Sequence, residues 1–431
     1  MKTKLFTKAV LAALLAAGLA LTTQAAKQPN IVHIVADDLG WKDVGFNGAT
    51  DIRSPNIDKL ASGGAKFTQF YTQSMCTPTR ACLMTGRYPW RYGLQTIVIP
   101  GPAGYGLDTS EYTLPQTLKD AGYTTAIIGK WHLGHGDIKY WPRQRGFDYQ
   151  YGAMIGELDY YTHSDAGVLD WFRNNKPVKE KGYTTQLIGA DAVKYINQQS
   201  ANKPFYLYLT FNAPHTPYQA PPDYIDRFKN VSEPTRRTYC AMVSCLDDEI
   251  GKVVAALDKK GLRENTLIVF HSDNGGTRNA MFAGQMADLS KTVLPCDNGP
   301  YRDGKGSLFE GGSRVAACAN WPGHIKPGTV EGMIHAVDIF PTFAALAGAS
   351  TAKSKPLDGM NVWDTIAEGK PSPRTELVYN VEPFRGGLRQ GDWKLIWRSL
   401  IPTSVDLYNL AEDPYEKNNV AAAHPDKVAA M

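Results

Sequence analysis

Ile31-Val32-His33-Ile34-Val35-Ala36 is an almost unbroken apolar run rich in β-branched residues, and it ends on Asp37-Asp38. Such a run predicts a buried strand. Three more runs share its character: Thr124–Ile128, Phe205–Phe211 and Leu267–Phe270. Helical patterns lie between them. One covers Ser54 to Ser62 after a Ser-Pro start, one Leu114 to Ala121, and a long amphipathic one Tyr239 to Lys260, with Gly261 as its stop. Strands alternating with helices predict an α/β layer with a mainly parallel sheet. Polar residues follow each strand: Asp37 and Asp38, then Lys130 and His132, then His215, then Asp273 and Asn274. Open α/β sheets carry their sites at the carboxyl ends of the strands, so four separate segments converge on one edge.

Farther out, the chain of 431 residues is long enough for a large domain and a smaller one. After the Pro- and Gly-bearing stretch Pro356–Arg374 come short strand-like pieces, Thr375–Asn380, Trp393–Arg398 and Val405–Leu407. Gly386-Gly387 and Gly391-Asp392 read as the turns between them. The division this predicts is a large domain over residues 26–372 and an antiparallel subdomain over 373–431. At the other end, Lys2 to Lys8, the apolar Ala9 to Leu21 and the small residues of Thr23-Gln24-Ala25 form a secretory signal pattern, residues 1–25. The apolar part is too short for a spanning helix, which needs about 20 residues. The mature chain is expected to start near Ala26, in a periplasm or outside the cell, with no membrane partner. The sequence stops at Met431 inside the helix-like Asp426-Lys427-Val428-Ala429-Ala430, as an interrupted chain would. Loss of Lys2, Lys4 and Lys8 lowers the formal charge of +4 to +1, which gives no footing for nucleic-acid binding. An oxidising compartment admits disulfides among the six cysteines, Cys76, Cys82, Cys240, Cys245, Cys296 and Cys318.

The chemistry-bearing motifs gain meaning from their combination. Asp37-Asp38 alone would be a solvated turn, and Asp273-Asn274-Gly275-Gly276 alone a Gly-rich turn. Together they offer oxygen ligands at two strand ends, which suits a hard cation, Ca²⁺ or Mg²⁺. Lys130 and His132 in Gly129-Lys130-Trp131-His132, His215 between Pro214 and Pro217, and Lys305 in a Gly-flanked loop could each be surface groups in isolation. His33, His163, His271 and His335 read as structural or surface groups, His271 as packed within its strand. Cys76-Thr77-Pro78-Thr79-Arg80 precedes Leu83-Met84-Thr85-Gly86-Arg87, and Thr79–Met84 reads as helical. Residue 76 then stands at a helix N-terminus, where amide N–H groups favour an anion.

In this order the segments resemble the formylglycine-dependent sulfatases of the alkaline-phosphatase superfamily, from Pro29 to Asp413-Pro414-Tyr415-Glu416. Several stretches are similar to the arylsulfatase B branch, which removes the 4-sulfate of N-acetylgalactosamine: Ala36-Asp37-Asp38-Leu39-Gly40-Trp41, Tyr71-Thr72-Gln73, Gly86-Arg87-Tyr88, Arg145-Gly146-Phe147-Asp148, Asp159-Tyr160-Tyr161-Thr162-His163 and Pro356-Leu357-Asp358-Gly359. The resemblance implies an alkaline-phosphatase-like large domain. It implies that a maturation enzyme oxidises Cys76 to formylglycine, and that Asp37, Asp38, Asp273, Asn274 and residue 76 bind the cation, calcium most often. Arg80 and Lys130 would hold residue 76 and the sulfate, and Lys305 would contact the sulfate. His215 would protonate the leaving oxygen, and His132 would assist breakdown of the sulfated intermediate. The expected partner is a sulfated polysaccharide, a carrageenan or glycosaminoglycan, with Arg143, Tyr160, Tyr161, His163, Arg385 and Arg389 as candidate sugar contacts. The resemblance weakens from Gly276 to Gly299, with Met281, Met286 and Cys296, and from Glu382 to Arg389. Two rivals share these residues: a formylglycine-dependent phosphonate or phosphodiester hydrolase, and a non-catalytic sulfoglycan-binding protein.

Overall fold

The four apolar runs become β1 (Asn30–Ala36), β2 (Thr124–Gly129), β3 (Phe205–Thr210) and β4 (Thr266–Ser272). They lie side by side in the order β2-β3-β1-β4, all parallel. This computed structural model describes residues 28–96, 98–101, 103–278, 294–382, 384–399 and 404–431. The signal-like segment, Met281 and Met286 lie outside the described residues.

Alternation along β1 divides the core. Val32, Ile34 and Ala36 face one layer, built with α-helices Thr184–Asn197 and Pro234–Lys259. Ile31 and Val35 face the other, which holds Ala81 to Met84 of helix Cys76–Thr85. This period of two is what a strand covered on both faces requires. Beyond β4 the sheet continues antiparallel through Ala317–Asn320 and Ala65–Phe67, and beyond β2 it continues parallel into Tyr149–Gly152. The result is a ten-stranded, mostly parallel mixed sheet flanked by helices.

Two local expectations need correction. The long helix begins at Pro234, ahead of Tyr239. Pro234 takes the first helical position and the Glu233 carboxylate accepts from the amides of Thr235 and Arg236, so a charged cap starts the helix before its apolar stripe does. Gly386-Gly387 is not a turn. It lies within strand Arg385–Gln390, with Gly387 opposite Tyr379 and Ile396. A Cβ on Gly387 would come within 3.0 Å of the Tyr379 ring, so the glycine makes room for that ring, and the chain reverses between Glu382 and Arg385. Strands Glu376–Glu382, Arg385–Gln390, Trp393–Arg398 and Ser404–Asn409 form a separate four-stranded antiparallel sheet.

Buried charge ties that sheet to the large one. Lys394 donates to Glu310 at 2.8 Å and lies 3.2 Å from Glu416, all three side chains being fully enclosed. Arg385 donates to the Gly306 carbonyl at 2.8 Å, beside Lys305. All six cysteines are free and buried. Among the described residues no helix is long and apolar enough to cross a membrane.

Candidate active site

Each central strand ends on a group that enters one buried cluster. Asp37 and Asp38 follow β1, Lys130 follows β2, and Asp273 and Asn274 follow β4, all almost completely buried. His215 follows β3 by a short loop and is buried too. Cys76 is the first residue of helix Cys76–Thr85, capped by an extended Met75. Its Sγ lies 3.4 Å from Asp37 Oδ1 and 4.0 Å from Asp38 Oδ1. Ligand-type atoms of Asp37, Asp38, Cys76 and His215 all lie within 4.8 Å of one another.

Cationic groups surround these carboxylates. Lys130 Nζ bonds Asp37 Oδ2 at 2.5 Å, and Lys305 Nζ bonds Asp38 Oδ2 at 2.7 Å. Arg80 Nε and Nη2 donate to Asp273 Oδ2 at 3.1 and 2.8 Å, and Nη1 donates to the Lys130 carbonyl at 3.0 Å. Its guanidinium therefore holds the ligand frame. Asn274 Nδ2 donates to Asp38 Oδ1 at 2.7 Å, and Thr277 Oγ1 donates to Asp38 Oδ2 at 2.9 Å. Thr277 escaped the sequence reading, although it directly follows Asp273-Asn274-Gly275-Gly276. Asp38 and His132 both adopt positive φ, 61° and 58°, a conformation uncommon for side chains of this kind and concentrated at functional positions.

The electrostatics follow from burial and these pairings. Burial raises the Asp38 carboxyl, but Lys305 and His215 outweigh it and hold the group well below the usual carboxylate range. Asp273 is pushed up to about 6 by burial and then by Asp37. Burial, followed by the carboxylate of Asp273, keeps the Cys76 thiol well above its ordinary value. Burial and Lys305 bring His215 down to about 4. Its Nδ1 donates to the Thr216 carbonyl at 2.8 Å, which leaves Nε2 to meet Lys305 Nζ at 3.0 Å. His132 is lowered by burial and then by Lys130. Its Nε2 donates to the Ile99 carbonyl at 3.1 Å, and its buried Nδ1 has no hydrogen-bond partner among the described residues.

The donor set fits a hard divalent cation. Three carboxylates converge from two strand ends, and the buried Asn274 Oδ1 has no hydrogen-bond partner among the described residues. Arg80, Lys130 and Lys305 balance the three carboxylates, so a divalent ion would leave the cluster net positive toward an anionic substrate.

A cavity of about 280 Å³ opens over Cys76, His132, His215 and Lys305. Apolar residues line part of its wall, and so do two carboxylates that the sequence reading passed over, Glu157 and Asp165. Gly156 presses on the catalytic face: a Cβ there would come within 2.4 Å of the His132 ring. Gly156→Ala is therefore expected to displace His132. It should lower kcat by about 10²-fold, the scale for a misplacement near 1 Å, with the melting transition preserved. Steady-state kinetics beside thermal unfolding check this, and an unchanged kcat would refute it.

The candidate sugar contacts fare unevenly. Tyr160 is fully buried and its hydroxyl donates to the carbonyls of Asn212 and His215, so it props the His215 loop from below. His163 is buried against Trp171, with ring centroids 4.8 Å apart. Arg389 is buried in the C-terminal sheet, where it bonds Tyr71, Gln69 and the Gly391 carbonyl. None of these three lines the cavity. Their polar or aromatic surface is used by internal partners that local sequence does not reveal. Tyr161 is 43% exposed beside Tyr183, and Arg143 is exposed on the short helix Pro142–Arg145. Arg385 reaches the backbone of the Lys305 loop.

Comparison with known proteins agrees with this geometry. Residues 29–349 match the family model described as Sulfatase. The chain is 35% identical over 395 residues to mouse arylsulfatase J, covering 89% of this chain and 64% of that protein, so it spans just under two thirds of that relative's length. It is 35% identical over 381 residues to mouse N-acetylgalactosamine-6-sulfatase, covering 83% of this chain and 70% of that protein. The crystal structure of Ps i-CgsB in complex with k-i-k-neocarrahexaose superposes with a TM-score of 0.84 at 35% identity, covering 94% of this chain and 91% of that one.

Proposed function

We propose that this chain, which belongs to the sulfatase family, hydrolyses a sulfate ester of a sulfated polysaccharide or oligosaccharide outside the cytoplasm, in a periplasm or as a secreted enzyme. The observation that carries the reaction is the placement of Cys76 at a helix N-terminus, against Asp37 and Asp38 and among Lys130, Lys305 and His215. A thiol in that place would have no second hydroxyl with which to release sulfate, which supports conversion of Cys76 to formylglycine by a maturation enzyme. A hydrated formylglycine beside a hard cation, calcium or alternatively magnesium, would supply a hydroxyl whose ionisation the cation would favour. Asp37, Asp38, Asp273 and Asn274, with residue 76, are the residues that would hold that cation.

The remaining side chains divide the work by geometry. Lys130 and Lys305 place positive charge where the sulfate oxygens gather negative charge. Arg80, hydrogen-bonded to Asp273 and the Lys130 carbonyl and 3.8 Å from Asp37, keeps the ligand frame aligned. The Lys305 ammonium donates to His215 Nε2 at 3.0 Å, and a proton passed to that nitrogen would be available to the departing alcohol oxygen. His132 Nδ1 is left as an acceptor by the bond its Nε2 makes, and so can take a proton in the second half of the reaction.

For the substrate, we propose the 4-sulfate of galactose or N-acetylgalactosamine, in a carrageenan or a glycosaminoglycan. Support comes from the arylsulfatase B-like stretches and from the neocarrahexaose bound by the similar Ps i-CgsB. The likeness to N-acetylgalactosamine-6-sulfatase favours a second reading, the 6-sulfate of the same rings. Sulfate release from defined 4- and 6-sulfated galactose oligosaccharides separates the two. Preferential release from the 4-sulfated series is expected, and clear preference for the 6-sulfate would overturn the position while leaving the hydrolysis intact.

A further inference from the structure

The cavity over residue 76 is not cationic throughout. His132, His215 and Lys305 line it beside Cys76, and so do the acidic residues Glu157 and Asp165. Both are partly exposed, and local structure fixes both. Glu157 follows Ile155 and Gly156. The amides of Met154 and Ile155 donate to Asp170 Oδ2 at 2.9 Å, and Gly156 rests on His132. Thr216 Oγ1, from the His215 loop, lies 3.5 Å from Glu157 Oε2. Asp165 ends strand Ser164–Asp165, which pairs with Val168–Leu169. Ala166 and Gly167 make the connection with φ of 47° and 82°, both positive, the handedness that a tight two-residue hairpin turn demands.

A carboxylate accepts hydrogen bonds and donates none, so sugar hydroxyls are its natural partners. It also repels other anions, most strongly where water is partly excluded. Val98, Ile99 and Ile155 on the same wall suit the C–H face of a ring. A volume of about 280 Å³ matches one ring better than a length of polymer. We propose that Glu157 and Asp165 determine specificity. They accept hydrogen bonds from hydroxyls of the sulfate-bearing ring and exclude rings that carry a second anionic group, so the ring attacked bears one sulfate and no carboxylate. This rests on the sulfated-carbohydrate reading above. It is discrimination by a repulsive element in a site whose cationic groups attract.

Binding to the full chain with Cys76→Ala, which cannot turn the ligand over, tests it. The probes are the methyl galactosides bearing a 4-sulfate alone or both 4- and 6-sulfates, titrated by calorimetry, with inorganic sulfate as reference. The monosulfated ring is expected to bind about tenfold or more tightly than the disulfated one. Adding Glu157→Gln and Asp165→Asn together should shrink that ratio to within about threefold, chiefly by tightening the disulfated ligand. The single variants, checked for native melting, should each give part of the change. Equal or tighter binding of the disulfated ring by the parent, or a ratio unmoved in the double variant, overturns the inference while leaving the carbohydrate reading in place. Binding of inorganic sulfate with neither sugar bound overturns both.

Discussion

Cys76→Ala is expected to abolish sulfate release, by about 10⁴-fold or more, while the protein melts within a few degrees of the parent. The size of the loss follows from the position. Residue 76 opens a buried helix, its Sγ is 3.4 Å from Asp37, and the cavity has its floor there. The small effect on stability follows from the same contacts. Alanine keeps the helix, and the sulfur it removes meets carboxylate oxygens rather than a close-packed apolar group. Protein that retains the free thiol should behave like the alanine variant, because a thiol offers no second hydroxyl for release of sulfate. Peptide mass spectrometry should find the sulfur lost from residue 76 in active protein, and an aldehyde there that reacts with a hydrazine probe. Full activity in preparations carrying only the thiol would end the formylglycine mechanism.

Much of this site was legible because its groups sit where strand patterns stop. Ile31 to Ala36 had to be buried on both faces, so Asp37 and Asp38 had to mark the strand's end, and the same reasoning placed Lys130 and Asp273. Pairwise register then brought these ends together: Val35 lies opposite Thr210 and His271, and β2 is joined to β1 through β3. What local pattern could not reveal was which polar surface meets water. Tyr160 and His163 had the composition of sugar contacts, yet one spends its hydroxyl on backbone carbonyls and the other its ring on Trp171. Glu157 and Asp165 carried no motif, since a carboxylate on a loop is ordinary until the fold turns it toward a cavity. Gly386-Gly387 misled for a related reason. Glycine marks turns, but it also marks a strand position crossed by a neighbouring ring, here that of Tyr379.

Removal of the cation should abolish turnover and lower the melting temperature, and Asp38→Ala should reproduce both effects. Linkage sets the scale for chelation: an ion present at a hundred times its Kd stabilises the native state by about 2.7 kcal/mol. Asp38→Ala adds a second cost. It leaves the buried ammonium of Lys305 without the carboxylate 2.7 Å away, and breaking a buried pair costs about 3–5 kcal/mol. Calcium added back should therefore rescue chelated parent protein and fail to rescue the variant. The pH dependence has a definite sign. Without the ion, Asp273 is pushed up to about 6 by burial and by Asp37, above its value in the unfolded chain. The cation-free fold thus keeps a proton that the unfolded chain releases, and this group's contribution to stability falls as the pH rises from about 4 to 6. A bound cation replaces that proton, so cation affinity should weaken as pH drops below about 6, and the melting penalty of chelation should grow between about pH 5 and 7. Scanning calorimetry with and without an exhaustively applied chelator, across that range, measures both. Unchanged melting together with retained sulfate release after chelation would remove the cation from the mechanism.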